Sequence, residues 1–251
     1  MSDIHVVSTG RNAGQFVSKC IESVKSQTLL PTSHVVIDDV SDDITRDVLE
    51  EYNKRQDLPY LEIVFNTERQ YRLKNIYDNS VFFHPEDIVV IVDSDDWLAH
   101  DNVLSRIKEV YDSNPKLEYV YSNNKFSHDN SPGGCQKIPN NYWNPYTGRW
   151  ITSHISTFKV KTLASLPIKN FLDWDGNWFR MATDHAYILP ILYRLWQRDG
   201  NYSAVHFIDE IFYVYHFYNN PSKPRTGIEG KKLSDLSVRC ANFIKQRGFV
   251  S

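Results

Sequence analysis

Asp93-Ser94-Asp95-Asp96 follows directly on the β-branched run Ile88-Val89-Val90-Ile91-Val92. Side chains alternate along an extended chain, so Asp93 and Asp95 are expected to point the same way from the end of a strand. Two carboxylates placed so are hard oxygen ligands for Mg²⁺ or Mn²⁺, and a cation held there can carry a diphosphate. An isolated D-x-D is more often a polar turn that caps the next helix; its place after so apolar a strand favours the binding role. Asp38 and Asp39 end an earlier apolar run, His34 to Ile37. A carboxylate there can accept hydrogen bonds from a base or ribose, although Asp39-Val40-Ser41-Asp42 also fits a turn leading into a helix.

The elements that must position these acids are legible as alternating strands and helices. Ile4 to Ser8 reads as a strand, and Phe16, Val17, Cys20, Ile21 and Val24 line one helical face. His34 to Ile37 is the second strand. Asp42 or Asp43 can cap a helix that turns Ile44, Val48, Leu49 and Tyr52 inward. Leu61 to Phe65 and the face Leu73, Ile76, Tyr77 and Val81 make a third unit. Ile88 to Val92 is the strand expected to be most buried, because an unbroken apolar run suits a parallel strand covered on both faces. Val103, Ile107, Val110 and Tyr111, then Tyr119 to Tyr121, complete an open, doubly wound α/β sheet over the first 122 residues. Such sheets bind ligands at the C-terminal ends of their strands, where both acidic motifs fall.

From Asn123 to Arg149 the sequence is rich in Asn, Pro and Gly and has no clear period, which predicts a long loop. Beyond it are expected a strand over His154 to Phe158, a helix from Thr183 to Trp196 despite Pro190, two strands around Val205 and Tyr213, and a helix over Leu233 to Ile244. One domain over 1–251 is expected, in which the second half, 123–251, completes a site opened by the first, 1–122. A net charge of −3 without a basic stripe argues against nucleic acid as a partner. No transmembrane segment is expected, since no run approaches the roughly eighteen apolar residues a span requires. The start carries no signal-like segment, and Cys20, Cys135 and Cys240 are few and scattered, which together predict a reducing, cytoplasmic setting.

Val6-Val7-Ser8-Thr9 with Asn12, Cys20-Ile21-Glu22-Ser23-Val24-Lys25-Ser26-Gln27-Thr28, Val36-Ile37-Asp38-Asp39 and Val92-Asp93-Ser94-Asp95-Asp96-Trp97 resemble, in order and spacing, the family 2 glycosyltransferases of the GT-A fold. The resemblance is strong over the first 110 residues or so and loose afterwards. It implies a mixed, mostly parallel sheet flanked by helices, a Mn²⁺ or Mg²⁺ ion, and inverting transfer of a hexose from a nucleoside-diphosphate sugar. A UDP-sugar is the donor favoured by the resemblance, and the acceptor is a hydroxyl of a glycan, glycoprotein or lipid. The implied donor-binding set is Thr9, Asn12, Asp39, Arg72, Asn75, Asp93 and Ser94, with Thr9 and Asp39 toward the nucleoside. The implied metal set is Asp93 and Asp95, joined by His216, since some enzymes of this fold use a late histidine.

Arg72-Leu73-Lys74-Asn75 resembles the family's basic-Asn stretch, so Arg72 or Lys74 is expected to meet phosphate oxygens unless both are solvated helix charges. Val40 departs from the family by standing where a glycine is usual. An inverting transfer needs a general base near the acceptor hydroxyl. The family's acidic pair is matched here by Thr183-Asp184, with Thr in place of the first acid, which makes Asp184 the expected base and Asp173 or Asp175 the alternatives. Trp143, Trp150, Trp174 and Trp178 are expected mainly to fill the core, with one or two offering an acceptor a flat apolar face. A nicotinamide-binding domain is the rival reading, but Gly10 and Gly14 do not make G-x-G-x-x-G. An aspartyl-nucleophile phosphatase would carry its acids on the first strand. A non-catalytic sugar-nucleotide-binding module is the third alternative.

Overall fold

The computed structural model describes residues 2–216 and 227–251. Eight strands form one sheet in the order β3-β2-β1-β4-β7-β6-β8-β5. β1 (Ile4–Gly10), β2 (Ser33–Asp38), β3 (Leu61–Phe65) and β4 (Ile88–Ile91) are mutually parallel and are linked by α1 (Val17–Lys25), α2 (Thr45–Asn53) and α3 (Tyr71–Asp78). β4 then pairs antiparallel with β7 (Ser156–Lys159), and β7 antiparallel with β6 (Tyr119–Phe126). β6 runs parallel to β8 (Val205–Tyr215), and the short β5 (Trp97–Leu98) closes the edge antiparallel to β8. Six strands thus share one direction, with their C-terminal ends toward one edge of the sheet.

The helices α4 (Val103–Ser113), α5 (Val160–Ala164), α6 (Thr183–Asp199) and α7 (Gly227–Arg247), with a short 3-10 turn over Ile168–Phe171, complete the described elements. Among the described residues, no helix is long and apolar enough to cross a membrane. Every residue of β2 and β4 is buried, whereas β3, at the sheet edge, is only half-buried. The central position thus shields β2 as fully as β4, although its sequence, with Ser33, His34 and Asp38, is less apolar.

Several elements differ from the sequence expectation, each for a physical reason. β6 continues to Phe126 through Asn123, Asn124 and Lys125, residues of low strand propensity held by pairing with β8. The segments around Val205 and Tyr213 are one strand, with register shifts where β8 lies opposite Ser122 to Asn124. Those irregularities break the period that separates them in the sequence. Ile44 is exposed, because α2 starts one residue later and turns Thr45 and Leu49 inward. α6 keeps Pro190 inside and runs to Asp199, where Gly200 adopts φ 68° and its N–H bonds the Trp196 carbonyl. Its buried residues, among them Ala186, Tyr187, Ile188, Ile191, Leu192 and Leu195, pack α6 onto one face of the sheet and fix where its N-terminus falls.

Candidate active site

The strand-end acids lie in a turn, not in an extended continuation. β4 ends at Ile91, and the Asp96 N–H bonds the Asp93 carbonyl at 2.9 Å. The alternation expected to align Asp93 with Asp95 therefore stops short of them, and the turn brings Asp96 back beside Asp93. One ligand atom each from Asp93, Asp96 and His154 lies within 4.8 Å of the others, and all three residues are buried. Asp95 is buried in the same turn. Tyr213 latches it: its O–H donates to Asp96 Oδ2 at 2.8 Å, and its oxygen accepts from the Asp93 N–H at 3.1 Å. The His154 ring stacks on Tyr213 and Tyr215, with centroids 4.6 and 5.1 Å apart.

His216, at the end of β8, donates its backbone N–H to Asp96 Oδ1 at 2.7 Å. Its ring makes a 2.6 Å hydrogen bond through Nδ1 to the Ser127 hydroxyl and lies against Phe16 and Trp97. His216 therefore adjoins the acidic turn, while the histidine within the compact group that could hold a metal ion is His154.

Arg72, in the first turn of α3, joins the two halves of the chain. Its Nε donates to Asp93 Oδ1 at 2.6 Å, and its Nη1 donates to Asp184 Oδ1 at 2.8 Å and to the Thr183 hydroxyl at 3.0 Å. Nη2 is buried with no hydrogen-bond partner among the described residues. Burial pushes the Asp184 carboxyl up, but the nearby charge of Arg72, with those of His154 and His185, holds it below the ordinary value. For Arg72, burial favours the neutral form, and Asp184 and Asp93 more than reverse this. Each charge thus favours the ionised form of its partner. Lys74, by contrast, pairs with Asp78 along α3.

The residues expected to face a nucleoside form a second network. Asp39 accepts from the N–H groups of Gln70 (2.8 Å) and Tyr71 (2.9 Å), from Asn66 Nδ2 (2.9 Å) and from Arg69 Nε (3.1 Å). Burial raises its pKa, and these donors, with Asn75, outweigh that and leave it lowered. Asn75 accepts from Asn66 and donates to the Thr9 hydroxyl at 3.1 Å, so Thr9, Asn75 and Asp39 are connected. Asn12 accepts from the Asp42 N–H at 3.0 Å, tying the loop after β1 to the loop after β2. Ser94 is buried against Gly10, where an added Cβ would lie 2.8 Å from the Ser94 Cβ. At Gly14 a Cβ would crowd Ile44 and the Thr45 backbone. Both glycines thus serve close packing.

Asn12, Val40, Tyr71 and Ala182 all adopt φ between 51° and 61°, and all four lie at this edge. Val40 thus keeps a left-handed turn at the position where the family it resembles usually has glycine, at a steric cost. Of the alternative bases, Asp173 caps its own turn through the N–H groups of Asp175 and Asn177, and Asp175 is exposed. Trp150 stacks on His185 at 4.0 Å, beside Asp184, whereas Trp178 stacks on Phe171 and Trp174 packs against Phe243. The sequence favours His216 over His154 as the late histidine, and it marks Tyr213 only by the strand face that it shares with Tyr215.

No curated protein sequence matches the chain. Solved structures share its fold. The mannosyltransferase PcManGT from Pyrobaculum calidifontis, in complex with GDP-Man and Mn²⁺, aligns with a TM-score of 0.64 and 15% identity over 99% of this chain and 65% of its own. Glucosyl-3-phosphoglycerate synthase from Mycobacterium tuberculosis, with Mn²⁺, UDP and phosphoglyceric acid, aligns at 0.62 and 14% over 100% and 80%. S. aureus TarS aligns at 0.60 and 16% over 86% of this chain, which spans 37% of TarS. The sequence model of Glycosyl transferase family 2 matches residues 6–163, well over half of the chain. With that match and a GT-A arrangement of sheet, helices and acidic turn, the protein belongs to glycosyl transferase family 2.

Proposed function

We propose that this chain transfers a hexose, with inversion, from a UDP-sugar to a hydroxyl of a carbohydrate or glycoconjugate acceptor, with Mn²⁺ or Mg²⁺ bound beside the acidic turn. The observation that carries the proposal is the convergence of Asp93, Asp96, His154, Arg72 and Asp184 at one sheet edge. Two carboxylates and an imidazole suit Mn²⁺ chemically. Asp93, Asp96 and His154 would hold the ion, with Asp95 and His216 bordering it. The ion would neutralise charge on the departing diphosphate. Related structures were solved with UDP-GlcNAc, UDP and GDP-Man, the first two of them TarS complexes.

The residues supply the remaining chemistry. Thr9, Asn12, Asn75 and Asp39 present hydroxyl, amide and carboxylate groups to the nucleoside, while Arg72 meets the phosphates. Asp184 accepts the acceptor's proton as the acceptor oxygen bonds to the anomeric carbon and the bond to diphosphate breaks. A carboxylate with lowered pKa is a weak base toward a free alcohol. It suffices once the attacking oxygen has become acidic through bond formation, so the proton moves late. The first 122 residues then act as the donor half, and the remainder supplies the base and, through Trp150, one flat wall for an acceptor.

The test is a hydrolysis and transfer screen of UDP-, GDP- and dTDP-sugars with Mn²⁺, run on the wild type and Asp184→Asn. We expect nucleotide release from a UDP-sugar by the wild type. The variant should retain UDP binding and lose at least about a hundredfold in turnover. Nucleotide binding without turnover in the wild type would identify a non-catalytic module instead, and unchanged turnover in the variant would place the base elsewhere.

A further inference from the structure

The guanidinium of Arg72 occupies the carboxylates that the reaction needs. It bonds Asp93, shared with the cation site, and Asp184, the proposed base, at the same time. Asp93 and Asp184 come from opposite halves of the chain, and a single arginine is wedged between them. A divalent ion at Asp93, Asp96 and His154 would sit close to this fixed positive charge and be repelled by it. Yet the guanidinium is incompletely used: both N–H groups of Nη2 are buried and without a partner among the described residues. Planar donors in that state fit phosphate oxygens, which carry the charge to draw Arg72 off the carboxylates.

We propose that Arg72 is an internal counter-ion that holds the cation site and the base closed until a nucleoside diphosphate takes over its guanidinium. This rests on the donor-site reading above and adds an order to it. In the free protein, Arg72 lowers the affinity for metal. Once its N–H groups have moved to the diphosphate, Asp93 is released to the cation and Asp184 to the acceptor hydroxyl. Metal and diphosphate then bind with reciprocal coupling, part of which belongs to Arg72 and not to their direct contact. The arrangement also keeps Asp184 from acting on water or acceptor while no donor is bound.

The two ligands should respond to loss of Arg72 in opposite directions, which a structural collapse would not produce. Mn²⁺ is titrated by electron paramagnetic resonance into the whole chain without nucleotide, and UDP is titrated calorimetrically without metal, in the wild type and Arg72→Gln. We expect Mn²⁺ to bind Arg72→Gln about tenfold tighter and UDP to bind it about tenfold weaker, with a smaller coupling between them. Arg72→Lys keeps a charge but cannot span both carboxylates, and it should shift each affinity the same way by a smaller factor. This second variant carries the test if Arg72→Gln does not fold.

Equal or weaker Mn²⁺ binding in the folded variants would overturn the proposal. If the wild type nevertheless binds UDP with Mn²⁺, the donor-site reading survives that result. If the wild type binds no UDP with Mn²⁺ present, the donor-site reading fails and the counter-ion role fails with it.

Discussion

At the scale of single residues, the site depends on side chains that orient ligands as much as on the ligands. Tyr213 is the clearest case, since one buried phenol donates to the Asp96 carboxylate and accepts from the Asp93 N–H. Tyr213→Phe removes both contacts and little volume. Loss of a hydrogen bond that orients a metal-binding carboxylate typically weakens metal affinity by about 10- to 100-fold. We expect UDP-dependent Mn²⁺ binding to fall by that order in a chain that still folds, its melting temperature lowered by roughly 2–10 °C for the two buried groups left without a partner; unchanged Mn²⁺ affinity would detach Asp96 from the ion. Asp93, Asp39 and Asp184 were legible in the sequence because each ends a strand or opens a helix in a recognisable order. His154 was not. It lies beyond the long irregular segment, and its place beside Asp93 follows from the antiparallel pairing of β7 with β4, which no local pattern announces.

At the scale of elements, the first half was readable because strand and helix periods alternate cleanly there, and the main surprises came where tertiary pairing overrides propensity. The asparagines of β6 and the bulged β8 are such places, and they bring Tyr213 and His216 to the acidic turn. Val40 shows a second kind of override, a β-branched residue held at φ 61° by the loop that aims Asp39. Val40→Gly should relieve that strain and raise unfolding free energy by about 1 kcal/mol, read from denaturant midpoints; a loss of stability would mean the turn is not strained. Inside β2, His34 is fully buried, its Nε2 2.9 Å from the Ser8 hydroxyl and its Nδ1 without a partner among the described residues. Burial lowers its pKa from 6.5 to about 3. Because the unfolded chain takes up the proton first, this stability is complete above pH 6.5 and is lost as pH falls from 6.5 toward 3. Between pH 7 and about 4.5, His34 should account for a loss of roughly 2.5 kcal/mol. His34→Gln should remove that part of the pH dependence in denaturant titrations at the two pH values, and identical wild-type and variant slopes would show that His34 does not carry it.

At the scale of the molecule, the binding edge is assembled from both ends of the chain, so ligand binding should stabilise the fold as a unit. The proposed donor network begins at Thr9, the acidic turn is latched by Tyr213 and His216, and Arg72 bridges α3 to α6. A ligand that binds only the folded state adds about 2.7 kcal/mol at a free concentration of 100 times its Kd. For a chain of this size that corresponds to a rise in melting temperature of roughly 5–10 °C. We expect this rise with UDP and Mn²⁺ together and only a small fraction of it with either alone, because Arg72 disfavours the cation until a diphosphate is present. Asp93→Asn should abolish the joint rise, since that carboxylate faces both the cation set and the guanidinium. Asp184→Asn should preserve it, since the base is required for proton transfer and not for holding the donor. A full rise with Mn²⁺ alone would contradict the coupling, and a rise that survives Asp93→Asn would place the nucleotide somewhere other than the edge where β1, β2 and β4 end.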